Sequence, residues 1–216
     1  MDKRELAKYI DSSLLNVDST YDDLVKVCEL AKKYEFATVA IANSWIPYAK
    51  KLLEGSPVGI DSPVGFPNGY STTEAKKYEI IDILEKGATE VDVVMNITWL
   101  KSRMYNKIEN ELEILRNACK KNVFKVIIEA YYLTDEEKAI AAELVVKAKA
   151  DFVKTSTGFA QGGATVEDVK LLYDKVGGKI KVKASGGIKT YDEAMKFLEI
   201  GATRLGASNA HLLMED

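Results

Sequence analysis

The sequence predicts a (β/α)8 TIM barrel built as a single domain over residues 1–216, and three observations predict it. Short apolar runs alternate with amphipathic stretches from one end of the chain to the other. The runs number eight, so each strand-plus-helix unit takes about 27 residues, the count for a closed barrel. Ionisable residues interrupt several runs near their C-terminal ends, where a barrel of this kind builds its active site. An open doubly wound sheet is the alternative, since short strands are easily miscounted.

A short helix over 2–8 precedes the first strand, and the candidate strands cover 9–15, 38–42, 59–66, 90–96, 124–130, 151–155, 180–185 and 203–207. Between them lie amphipathic helices, such as 21–34 with Leu24, Val27, Cys28 and Ala31 on one face and 136–149 with Ala141, Leu144, Val145 and Ala148. A weak repeat marks each return from helix to strand: EKGATEVDVV, EIGATRLGAS and, without the glycine, KAKADFVKTS and KYEFATVAI. Gly87 and Gly201 are the expected left-handed caps. Ser71-Thr72-Thr73-Glu74, Thr134-Asp135-Glu136-Glu137 and Thr190-Tyr191-Asp192-Glu193 supply capping oxygens and early acids.

Apolar residues make up 47% of the chain, enough for a substantial core, and the net charge of −3 offers no basic face to nucleic acid. No run of about 18 apolar residues is present to span a membrane, and the opening MDKRELAKYIDSS lacks the apolar heart of a signal peptide, so a cytoplasmic protein is expected. Cys28 and Cys119 fall on core positions of helices, without a CxxC pair, and read as reduced packed thiols. His211 is the only histidine, which removes histidine triads and histidine-rich metal sites, and it reads as a surface residue.

Two lysines then dominate: Lys154 in DFVKTSTGF and Lys183 in IKVKASGGIKT, 29 residues apart, each at the last inward position of a buried strand. Lysine is almost never fully buried without a partner or a purpose. An unperturbed amine, with pKa about 10.4, is neutral in about one molecule in 2,500 at pH 7. A depression of about three units, within reach of burial plus a nearby cation, raises that fraction to roughly three in ten. One lysine staying charged would therefore make the other a nucleophile for carbonyl chemistry. Lys154 is assigned as the attacking amine because its T-S-T-G turn leaves room for a bound carbonyl carbon, although the spacing alone leaves the order open. Asp92, alone in V-D-V-V-M-N, is read either as a buried counterion or as the third member of the group; Asp11 sits in the middle of the first strand.

The glycines supply a second half. Gly158, Gly162-Gly163, Gly186-Gly187 and Gly206-Ala207-Ser208 follow the sixth, seventh and eighth strands. Loops there, with a short helix opening at Ser208, are where barrels bind phosphate. Gly186-Gly187 and Gly206 with Ser208 are read as an anion site; Gly162-Gly163 reads equally as a turn.

Along nearly its whole length the chain resembles the deoxyribose-phosphate aldolase family, in YIDSSLL, VGFPNGYSTTEAK, EVDVVMNI, KVIIEAYYLTDEE, ADFVKTSTGFAQGGATVEDVKLL, VKASGGIKTYDEA and RLGASN. The resemblance implies a class I aldolase that reversibly splits 2-deoxy-D-ribose 5-phosphate into D-glyceraldehyde 3-phosphate and acetaldehyde, in deoxyribonucleotide catabolism, with no metal or other cofactor. It implies that Lys154 forms the Schiff base, that Lys183 lowers its pKa, and that Asp92 is an acid/base working through an ordered water. It implies that Asp11 supports the Lys183 position and that Gly158, Gly186, Gly187, Ser208 and Asn209 hold the 5-phosphate. Partners are expected to be small sugar phosphates and aldehydes and a second copy of the chain, as a homodimer or larger homo-oligomer, with no nucleic acid and no membrane.

The chain departs from the family pattern at Ala40, where a cysteine is frequent, at Ser12, where many members carry histidine, and at Phe159, where some carry lysine. It ends at HLLMED, without the terminal tyrosine that assists proton abstraction in some members. Two rival readings stand beside this one: another Schiff-base aldolase on the same barrel, and a sugar-phosphate-binding barrel without catalysis.

Overall fold

Eight parallel strands close on themselves in chain order in a computed structural model that describes residues 1–215. The strands are β1 (Ile10–Leu14), β2 (Thr38–Ile41), β3 (Gly59–Val64), β4 (Glu90–Val94), β5 (Val123–Ile127), β6 (Phe152–Lys154), β7 (Lys181–Ser185) and β8 (Arg204–Ala207). The expected helix over 2–8 is α1 (Lys3–Ala7), with Asp2 accepting from Glu5 N–H at its start. Around the barrel run α2 (Tyr21–Tyr34), α3 (Ile46–Leu52), α4 (Thr73–Lys86), α5 (Ile97–Lys101), α6 (Tyr105–Cys119), α7 (Asp135–Lys147), α8 (Val166–Val176) and α9 (Tyr191–Glu199). The open-sheet alternative is thereby excluded.

The strands are shorter than the apolar runs that announced them, because other geometry takes over at their ends. Gly65 at φ 63° turns the chain out of β3, Asn96 leaves β4 to cap α5 through Trp99 N–H, and Glu129 at φ 47° ends the β5 run. Among the described residues, no α-helix follows β8. The helix expected to open at Ser208 is a five-residue 3-10 turn, Ala210–Met214, whose cap Asn209 makes no side-chain hydrogen bond, and His211 on it is half-buried rather than exposed.

The helix signals act as their chemistry requires. Thr72, Thr134 and Thr190 cap α4, α7 and α9, the last two as full capping boxes with Glu137 and Glu193. Leu24, Val27, Cys28 and Ala31 turn the buried face of α2 to the barrel, while Ala148 falls just past α7 as its half-buried cap. The helix-to-strand repeat turns through positive φ in all four copies but not through one conformation: Gly87 and Gly201 have φ 122° and 111°, whereas Lys149 and Glu35 reach φ 54° and 57° without a glycine. Tertiary packing imposes the turn there, at the usual cost of left-handed backbone for a residue with a Cβ. Both cysteines are free and buried, and burial pushes their thiols up, Cys28 to about 11 and Cys119 to about 12.

Outside the barrel lies a fully buried ion pair the sequence did not announce. Lys76 of α4 donates to Glu111 of α6 at 2.8 Å and to the Val94 carbonyl at 2.9 Å, and Thr73 Oγ1 donates to the second Glu111 oxygen at 3.0 Å. The pair ties two helices to the C-terminal end of β4. Removing one partner of a buried pair leaves the other charge unpaired, which costs about 3–5 kcal/mol. Glu111→Ala is therefore expected to lower unfolding free energy in urea by about that amount, and a loss under 1 kcal/mol would show that the pair contributes little to this fold.

Candidate active site

A barrel interior is ordinarily filled by branched apolar side chains in layers. Here the strands direct charge inward. Parallel pairing places like-facing residues side by side: Asp92 opposite Lys125 across β4 and β5, Lys154 opposite Lys183 across β6 and β7, Lys183 opposite Arg204 across β7 and β8, and Asp11 opposite Thr38 across β1 and β2. Four cations (Lys125, Lys154, Lys183, Arg204) meet four carboxylates (Asp11, Asp61, Glu90, Asp92), so the formal charges cancel.

Asp92 is the hub. Its Oδ2 lies 2.7 Å from both Lys154 Nζ and Lys183 Nζ, and its Oδ1 lies 2.8 Å from Lys125 Nζ. Lys183 also meets Asp11 at 2.5 Å and Asp61 at 3.0 Å, and Lys125 meets Glu90 at 2.7 Å and Asp61 at 3.1 Å. Arg204 reaches Asp11 at 2.7 Å and Glu90 at 3.2 Å, and Thr38 Oγ1 donates to Asp11 at 2.7 Å. Asp11 therefore touches Lys183 directly and orients it.

Burial and neighbours split the lysines. Burial is the largest influence on Lys154 and pushes its amine down; Lys183 adds to the depression and Asp92 opposes it. Burial acts on Lys183 in the same direction, but Asp11, Asp61 and Asp92 overcome it and hold its ammonium well above the usual range. The asymmetry expected between the two lysines is present, with a change of emphasis: loss of water lowers Lys154 more than the neighbouring cation does. Asp92 and Asp11 feel burial upward, yet the surrounding cations carry both well below the carboxylate range. Asp61 is the exception, raised by burial and by Asp92 despite its lysines.

Above this cluster opens a cavity of about 360 Å³. Asp11, Lys154, Lys183, Gly158, Gly186, Gly187, Gly206, Ser208 and Asn209 all line it, together with Thr157 and Lys189, while Asp92 lies beneath and reaches it through the two lysines. The glycine rim is built by close approach. Gly186, at φ 86°, packs so tightly on Gly163 that a Cβ on it would stand 3.0 Å from the Gly163 Cα, and Gly187 at φ 85° faces open space. A Cβ on Gly206 would stand 2.8 Å from the Ser185 Cβ, so its absence keeps room beside the Lys183 stem. Gly162 and Gly163 do not line the cavity; they pack against Tyr131 and Gly186. With no α-helix at Ser208, the rim presents loop backbone and Lys189 rather than a C-terminal helix dipole.

Asp61, Glu90, Lys125, Arg204 and Lys189 join the site beyond the residues expected. Asp61 and Lys125 carry the signal that marks Asp92, a charge within an apolar strand, in GIDSPV and VFKVI, whereas Glu90 and Arg204 stand first in EVDVV and RLGA, where a charge is ordinary. Trp45 and Trp99 are half-buried against the core, whereas Tyr131 and Tyr132 are exposed. Among the described residues, no helix is long and apolar enough to cross a membrane, and no cluster of His, Cys, Asp or Glu has metal-binding geometry.

Comparison with known proteins agrees with this geometry. The profile of the DeoC/LacD family aldolases matches residues 1–210. A deoxyribose-phosphate aldolase of Clostridium kluyveri is 47% identical over 211 residues, covering 97% of each chain. Another, of Bacillus mycoides, is 50% identical over 204 residues, covering 94% of this chain and 92% of that one. Among solved structures, a tetrameric deoxyribose phosphate aldolase from Aeropyrum pernix superposes with a TM-score of 0.90 at 30% identity, covering 99% of this chain and 91% of that one.

The charge cluster fixes a pH window for stability. Asp11 and Asp92 have depressed folded-state pKa values, so the stability they contribute is present above the unfolded carboxylate pKa, about 4, and is lost as pH falls towards the folded value. Lys183 and Lys125 are raised, so their share is present below about 10.4 and is lost as pH climbs through the folded values. Asp61, shifted the other way, offsets part of the first term. Urea midpoints are expected to hold steady from about pH 5 to 8 and to fall below about pH 4. Asp11→Asn should lower the plateau and flatten the acid fall; a variant with the same acid slope as the parent would contradict the linkage.

Proposed function

The chain belongs to the DeoC/LacD family of aldolases, and we propose that it reversibly cleaves 2-deoxy-D-ribose 5-phosphate to D-glyceraldehyde 3-phosphate and acetaldehyde through a Schiff base on Lys154. The observation that carries the reading is the placement of a buried, depressed amine on the wall of a cavity, 2.7 Å from a carboxylate that it shares with a lysine held charged. The names of the relatives support the substrate, and the glycine rim with Lys189 suits its phosphate.

In the cleavage direction, the neutral Lys154 amine adds to the C1 aldehyde of the open-chain sugar, and loss of water leaves a protonated iminium. The C3 hydroxyl gives up its proton, the C2–C3 bond breaks, and its electron pair moves to C2 and into the iminium as an enamine. Glyceraldehyde 3-phosphate leaves. Protonation of the enamine at C2 and hydrolysis of the resulting iminium release acetaldehyde and return the amine. Asp92, through an ordered water, is assigned the proton transfers, which as general acid–base catalysis contribute about 10²- to 10⁴-fold. The electron sink is the iminium nitrogen itself, so this route has no step that calls for a metal or nucleotide.

Lys183 stays charged and Asp11 keeps it in place. Gly158, Gly186, Gly187, Gly206, Ser208, Asn209 and Lys189 hold the 5-phosphate, with Lys189 supplying the cation. Proton transfer at C2 is assigned to groups of the barrel, Asp92 and its ordered water. Self-association as a homodimer or larger assembly is part of the proposal, supported by the tetrameric Aeropyrum pernix relative, as is a cytoplasmic setting, in keeping with two reduced thiols.

Two experiments test the reading. Borohydride added with acetaldehyde is expected to leave a reduced adduct on Lys154, located by peptide mass spectrometry; an adduct on Lys183, or none, would overturn the assignment. Lys183→Leu removes a cation that lowers the Lys154 amine, so the pH at which trapping becomes fast should rise by about one unit and the rate at pH 7 should fall about tenfold. An unchanged pH profile counts against the electrostatic role.

A further inference from the structure

Beyond the charge cluster, one more buried acid stands near enough to the nucleophile to feel its charge. Glu129 follows β5 and is 3% exposed, with its backbone held at φ 47°, a conformation a non-glycine residue keeps only where its surroundings impose it. Those surroundings are the end of β6. Ile128 N–H donates to the Lys154 carbonyl at 3.0 Å and Ala130 N–H to the Thr155 carbonyl at 2.8 Å, so the residues flanking Glu129 grip the chain at the nucleophile and just after it. The Glu129 side chain completes the grip. Its Oε1 and Oε2 accept from Thr157 N–H at 3.2 and 3.3 Å, and Oε2 accepts a very short hydrogen bond from Thr157 Oγ1. Thr157 Oγ1 in turn accepts from Phe159 N–H at 3.1 Å, so the hydroxyl is used in both directions.

Thr157 is also a partition. It lines the substrate cavity on one side and, on the other, a second cleft bounded by Tyr70, Tyr132 and Phe159. Across β7 the same segment is stitched by Thr155 N–H to the Lys183 carbonyl at 3.1 Å and by Ser185 Oγ to the Ser156 carbonyl at 2.5 Å. The turn after Lys154 is thus held from both sides, and Glu129 is its only side-chain anchor from β5 among the described residues. A shift there would move Gly158, the next residue, and the wall against which the iminium carbon must sit, and misplacement by about 1 Å can cost about a hundredfold in rate.

We propose that Glu129 is a positioning residue for the aldolase reaction, acting through Thr157 to fix the turn that follows Lys154. The inference rests on the proposed Schiff-base chemistry. Its logic is hydrogen-bond acceptance, so an uncharged acceptor of the same shape should replace it.

The test uses the full-length enzyme, with melting temperature and retro-aldol kinetics measured for Glu129→Ala, Glu129→Gln, Thr157→Val and the double variant Glu129→Ala/Thr157→Val. Trapping of acetaldehyde on Lys154 in the parent enzyme serves as the control for the underlying chemistry. Glu129→Ala and Thr157→Val are each expected to lower kcat at least tenfold, and the double variant should fall no further than the worse single one, since both cut the same link. Glu129→Gln should stay within about threefold of the parent. If Glu129→Ala does not fold, the comparison of Thr157→Val with Glu129→Gln carries the test. Multiplying effects in the double variant, a kcat within twofold of the parent for Thr157→Val or Glu129→Ala, or a Gln variant as slow as the Ala variant would overturn the inference while leaving the Schiff base standing. A parent enzyme that traps nothing on Lys154 overturns both.

Discussion

Asp92 holds three lysine nitrogens within 2.8 Å on its two oxygens, all of them buried inside the barrel. Each buried ion costs several kcal/mol to dehydrate, and only close opposite charge repays it. The interior of this barrel exists as a packed unit because the carboxylates of Asp11, Asp61, Glu90 and Asp92 equal in number the cations they face. The same balance makes the site reactive: Lys183 has three carboxylates and stays charged, whereas Lys154 has one, is pushed down chiefly by burial, and becomes the amine able to attack.

The cluster also explains the division of the barrel into a floor and a mouth. Lys125, Glu90, Asp61 and Arg204 fill the floor, where a typical barrel would place branched apolar side chains. Lys154 and Lys183 rise from that floor into the cavity, and the glycine rim above them offers backbone where side chains would block it. Rigidity comes from neighbouring strands gripping one another's ends. The Lys154 segment is bonded to the residues just after β5, Ile128, Glu129 and Ala130, and to β7 through Lys183 and Ser185, so the stretch that carries the nucleophile is held on both sides.

Much of this was legible before any coordinates. Eight apolar runs, three threonine caps and two cap glycines gave the order of elements because each is a local preference acting over a few residues. Lys154, Lys183 and Asp92 stood out because charge inside an apolar run is costly whatever the fold. Lys125 and Asp61 carry the same mark in VFKVI and GIDSPV, each the third residue of its strand as Asp92 is, but which of these charges meet is decided only by the register and by closure of the barrel. The C-terminal helix failed for a different reason: the cap position falls on Asn209 rather than Ser208, no side chain caps it, and only a five-residue 3-10 turn forms.

The sequence by itself determined the barrel, the reaction class its motifs resemble, and the identity of the two lysines and the acid beside them. Which lysine loses its proton, by how much burial outweighs the neighbouring cation, and that Asp92 rather than distance reconciles the two were decided by tertiary structure. Propensities and caps act between residues close in the chain, whereas a pKa is set by every charge within a few ångströms and by the water excluded. Lys183 meets Asp11, Asp61 and Asp92 from three different strands only once the barrel has closed.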